Sequence, residues 1–128
     1  MSNFLKVTAV VAAIYGIVGV LFLNFLLTNY GVSSEAAVIL MTRFFGVTLI
    51  GWGIVNWLIS DSTDWIALRG VLVAGVIADV VGVVVSVAGT RAGTMNRMGW
   101  SAVLIYAVFG LGSLYFLVSG RQTMPSHT

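Results

Sequence analysis

The chain contains no cysteine, which excludes disulfides, thiolate metal sites, iron–sulfur clusters and cysteine nucleophiles together. It has one histidine, His127, and one proline, Pro125, both within the last four residues. A bis-histidine haem or a histidine-ligated pigment inside the fold is therefore out of reach, and no Ser–His–Asp arrangement can be assembled. The four acidic side chains are spread over three regions and cannot build a carboxylate-bridged metal site. These absences predict a chain without enzymatic activity, cofactor or metal. Charge of either sign is also scarce: 8% of the 128 residues is too little to clothe a core of this apolarity in water.

Apolar runs fill the space that charge leaves. The mean hydropathy is +1.07, and four stretches, residues 5–28, 36–59, 65–88 and 99–119, each have the roughly 20 residues that cross the hydrocarbon core of a bilayer as a helix. They predict an all-α, integral membrane, antiparallel four-helix bundle forming a single domain over 1–128, with a polar tail from 120. No length remains for a soluble catalytic or nucleotide-binding domain. The six Lys and Arg residues fall one or two per boundary, which reads as helix-end anchoring in a lipid bilayer and not as nucleic-acid binding. The first run begins after Lys6 like a signal peptide, yet it continues far beyond the usual signal core and is read as a retained helix.

Local chemistry marks the boundaries. Asn29-Tyr30-Gly31 suits a left-handed helix end, and Ser33-Ser34-Glu35 offers a cap and an acid for the next helix. Ser60–Asp64 repeats the pattern before Trp65, placed where interfacial aromatics collect. Residues 89–94 join the third run to the fourth. Connections this short predict that consecutive helices are antiparallel neighbours. The face with both termini carries Lys6, Arg69 and Arg121, the other Arg91 and Arg97 with Arg43 deeper; the count favours cytoplasmic termini in a bacterial inner membrane, and counting Arg43 makes it a tie, as dual insertion would.

At about 100° per residue, each run has one face of small residues. The first aligns Thr8, Ala12, Gly16 and Gly19; the second Arg43, Gly46, Ile50 and Gly53; the third Gly75, Asp79, Gly82 and Ser86; the fourth Gly99, Ala102, Tyr106, Gly110 and Ser113. In lipid such faces let backbones approach, so Gly16, Gly19, Gly46, Gly53, Gly75, Gly82 and Gly110 are expected to pack helices, with any surplus face left for another subunit. Arg43 and Asp79 stand out, because a lone charge near the bilayer centre costs roughly 2.5–3.5 kcal/mol on insertion scales. Reflection through the 60–64 turn puts them at nearly one depth, and the next connection brings Tyr106 level. The expectation is an intramembrane Arg43–Asp79–Tyr106 cluster, serving either as a register-fixing buried pair or as a proton- or substrate-binding carboxylate; in the third alternative Arg43 snorkels to the near interface. Trp52 and Trp57 are candidates to line a flat apolar site. Gly51-Trp52-Gly53 is no nucleotide loop, since no strand precedes it and no Lys follows.

In size and helix count the chain resembles the small multidrug-resistance transporters, whose site is a glutamate in the first helix; only Asp79, in the third run, could stand in for it here. Arg43-Phe44-Phe45-Gly46, with Gly51 and Trp57, and Met95-Asn96-Arg97-Met98-Gly99-Trp100 resemble a group of bacterial four-helix membrane proteins of similar length, a likeness that implies no activity. Three readings follow. The first is an oligomerising or accessory subunit that docks into a homo-oligomer or a larger membrane complex through its glycine faces. The second is a small proton-coupled transporter or channel using Asp79 and Arg43, and the third a binder of a lipid, quinone or carotenoid.

Overall fold

The computed structural model describes the backbone of residues 1–123 and the side chains of residues 1–120. Five helices follow in order: α1 (Ser2–Leu21), α2 (Leu23–Tyr30), α3 (Ala36–Ile59), α4 (Trp65–Arg91) and α5 (Gly99–Thr123). Four of them, α1, α3, α4 and α5, are long and apolar enough to cross a membrane. The polar tail with Pro125 and His127 lies outside the described residues, and α5 runs past the expected end at 119.

The expected first helix is two. Phe22, at φ −121° and ψ 38°, leaves the helical region, and α2 sets off in a new direction although no proline or glycine occupies the break. Its C-terminus behaves as the sequence predicts: Gly31 adopts a left-handed φ of 65°, and its N–H turns back to the Thr28 carbonyl. At the start of α4, Asp64 caps the helix by accepting from the Ile66 N–H at 3.0 Å. Glu35 occupies the corresponding position of α3 without a side-chain cap.

Helix pairing follows the glycines and not chain order. α1 lies antiparallel on α3: a Cβ on Gly16 would sit 2.6 Å from the Gly46 carbonyl oxygen, one on Gly46 would sit 2.7 Å from the Gly16 carbonyl oxygen, and one on Gly53 would sit 2.8 Å from that of Ala9. Only hydrogen fits at these positions, which lets two backbones meet and maximises dispersion contact. α4 and α5 pair in the same way. Gly110 receives Asp79, whose Cβ a methyl group there would meet at 3.0 Å, and Gly82 receives the Tyr106 ring. α3 and α4 are consecutive and antiparallel, yet they barely touch. The expectation that consecutive helices are close neighbours therefore fails at this connection, because α3 has spent its glycine face on α1 and α4 has spent its own on α5.

The two pairs are joined at their ends. At the end that holds the N-terminus, Leu5, Leu68 and Leu72 are each 1% exposed and pack with Phe4, Trp65 and Phe116. The Ser2 hydroxyl and the Lys6 ammonium both reach Asp61 in the α3–α4 turn, at 2.7 and 3.3 Å. At the opposite end the link is polar. The Asn96 N–H donates to the Tyr30 carbonyl at 2.9 Å and its amide to the Asn29 carbonyl at 3.0 Å, so the loop before α5 is fastened to the end of α2. A Cβ on Gly31 would lie 3.0 Å from that same amide, a second reason for glycine there.

Candidate functional site: a cavity between two helix pairs

Because the glycine faces draw α1 to α3 and α4 to α5, the middle of the molecule is left unfilled. The space is a cavity of about 620 Å³, within the range of small-molecule sites. Apolar side chains, leucine and valine foremost, make most of its wall, closed at one end by Leu5 and Leu72 and bounded at the other by Leu27, Tyr30, Val32 and Met95. It reaches the outer surface between α3 and α4, where Met41, Phe45 and Val85 line it and remain exposed.

The polar groups of the wall come from all four long helices and from α2. Asp79 lies near the middle of α4, half-buried, with its Cβ seated against Gly110 of α5. Tyr106, one turn from Gly110, lies over Gly82, and the exchange of a side chain for a glycine in each direction fixes Asp79 and Tyr106 side by side. Tyr15 of α1 faces them. Its hydroxyl is 3.5 Å from that of Tyr30, which in turn is 3.3 Å from the Ser101 hydroxyl on α5. Asn56, 1% exposed, also lines the cavity and donates to the Trp52 carbonyl at 2.8 Å. Asp79 is the one charged residue of the wall among the described residues.

The structure thus brings Asp79 and Tyr106 together but does not add Arg43. Arg43 is exposed on α3 and forms no ion pair with Asp79; among the described residues the only ion pair is Lys6–Asp61. The correction has a geometric cause. Equal depth suffices for contact only where helices touch, and α3 leans on α1, so the neighbouring Thr42 and not Arg43 lines the cavity. The two tryptophans also separate. Trp52 lines the cavity and reaches across toward Gly75 of α4, within 3.9 Å of where a Cβ would stand, whereas Trp57 is 52% exposed beside a shallow groove at Ala9 and Gly53, under the Lys6 ammonium at 5.7 Å.

Gly75 meets the Ser113 hydroxyl, and Gly19 approaches Gly46 and Thr42, so all seven glycines expected to pack helices lie at interhelical contacts within the chain. Three participants escaped sequence reasoning. Tyr15 and Tyr30 join only because the chain breaks at Phe22, and no residue at that position announces a break. Asn96 carried a weak signal, as an amide following the left-handed Gly93 in a short polar loop.

Comparison with protein-family models, with curated proteins and with solved structures finds no match to this chain. What the fold and site define is a class of architecture: four apolar helices of membrane-crossing length, in two glycine-packed pairs around an apolar cavity with one carboxylate.

Proposed function

We propose that the protein is a non-enzymatic, multi-pass integral membrane protein of the bacterial inner membrane, both termini cytoplasmic, that holds a lipophilic molecule of the lipid or quinone class between its two helix pairs. The observation that carries the reading is the 620 Å³ cavity, apolar over most of its wall and furnished with a few convergent polar groups, Asp79, Tyr106 and Tyr15. Its side opening between α3 and α4 would face acyl chains, a route by which a lipophile enters without crossing water. Outward-facing Leu, Val, Ile and Phe side chains, among them Leu21, Phe25, Leu58 and Ile66, give the exterior the character of a lipid-facing surface.

Docking into a homo-oligomer or a larger complex draws less support. It rests on glycine faces left over for a partner, and the packing glycines here meet the chain's own helices; among the described residues only Gly51, Gly70 and Gly93 face open space. The test is extraction: protein purified in mild detergent, or directly from native membrane in polymer discs, is expected to release one lipophile in stoichiometric amount on mass spectrometry. Recovery of bulk lipid alone, in proportion to the annular shell, would overturn the proposal.

A further inference from the structure

Asp79 is half-buried in an apolar cavity, yet among the described residues no basic side chain lines that cavity with it. Lys6 is engaged at Asp61, and Arg43, Arg69, Arg91 and Arg97 are exposed outside the wall. Neither an ion pair nor a hydrogen bond from the protein answers the carboxylate among the described residues. An unanswered carboxylate in a low-dielectric site is costly, and the cost falls when an opposite charge enters beside it. Tyr106 is held beside it by the glycine exchange, and Tyr15, Tyr30 and Trp52 line the same cavity. Their ring faces attract a cation and offer nothing to an anion. A phosphate headgroup would meet one negative charge and no positive one.

We propose that the occupant is a lipophilic monocation, an amine or quaternary ammonium carried on an apolar body, with its charge at Asp79 and its hydrocarbon against the leucine, valine and phenylalanine wall. This rests on the lipophile-binding reading above and adds the sign of the headgroup. Single charge follows from the single carboxylate, and an apolar body follows from the remaining wall and from the opening at Met41, Phe45 and Val85.

The experiment compares dodecyltrimethylammonium with its neutral carbon isostere, in which a tert-butyl group replaces the trimethylammonium. Both are radiolabelled and added to the full chain in phosphatidylcholine nanodiscs, with partition into empty discs subtracted. The expected result is about tenfold tighter retention of the cation, the scale of a desolvated cation–aromatic and charge contact. Asp79→Asn should erase the preference while the isostere still binds, and Asp79→Glu should keep it. Equal retention of the two probes by the unaltered protein overturns the cation proposal and leaves the lipophile reading standing. Retention of neither above empty discs overturns both. The comparison of probes on the unaltered protein decides the matter even if a variant fails to fold.

Discussion

The hydroxyls of Tyr15 and Tyr30 lie 3.5 Å apart although fifteen residues separate them in sequence. A straight helix would set their backbones about 22 Å apart along its axis, so the contact measures how far the break at Phe22 redirects α2. Tyr30 also reaches Ser101, which makes it the joint between the first helix and the last. Tyr30→Phe removes both long hydrogen bonds and should lower stability by less than about 1 kcal/mol. Asn96→Ala, which takes away the bonds to Asn29 and to the Met98 N–H, should cost about 1–2 kcal/mol. Unfolding in mixed detergent micelles gives the free energies. Hydrogen exchange should show the loss confined to residues 23–35 and 93–101.

Gly16 and Gly51 provide a matched pair of substitutions. Alanine at Gly16 would collide with the Gly46 carbonyl and the Ile50 backbone, whereas alanine at Gly51 meets nothing within 4 Å. Gly16→Ala should destabilise by about 1–3 kcal/mol, the range for overpacking. Gly51→Ala should be neutral or stabilise by up to about 1 kcal/mol through helix propensity. Equal effects of the two in the same unfolding assay would contradict the α1–α3 contact.

Asp61 supplies a pH dependence with a definite sign. The hydrogen bond from Ser2, then the hydrogen bond and charge of Lys6, hold its carboxyl below the ordinary carboxylate value. A group whose folded pKa is depressed adds stability above its unfolded value, near 4, and loses it as pH falls through the lower folded value. Stability against thermal unfolding should therefore fall as the pH drops from about 4 toward the folded value, with a small amplitude because the pair is exposed and screened by salt. Asp61→Asn should flatten that part of the profile.

Trp52 and Trp57 separate occupancy of the cavity from the outer surface. Trp52→Ala removes a wall that spans from α3 toward α4 and should reduce the lipophile retained through purification several-fold. Trp57→Ala should leave it unchanged, since that ring borders another groove. Quantifying the extract from each variant against protein amount checks both.

Much of this arrangement is written in the sequence and part of it is not. The helix bounds 36–59 coincide with the apolar run between two polar turns, because helix ends are local chemistry. The glycine stripes also declare themselves by period. Which stripe meets which is a non-local choice: α3 had two candidate neighbours, and its Gly46 and Gly53 fit the Gly16 and Ala9 backbone of α1. That choice sent Arg43 outward and opened the cavity, so the companionship of Asp79 with Tyr106, set by adjacent antiparallel helices, was legible, and the location of Arg43 was not. The break at Phe22 has no local cause in residue type and shows only through the tertiary contacts of Tyr30.

The two ends of the molecule are fastened by different forces. Leu5, Leu68 and Leu72 clamp one end with densely packed hydrocarbon, while Asn96 and Tyr30 hold the other by a few exchangeable hydrogen bonds. Resistance to parting is therefore expected to be graded along the long axis, the helix pairs separating more readily at the asparagine end than at the leucines. Traffic of any guest would then be governed from the asparagine end, through a motion that leaves the glycine seams intact.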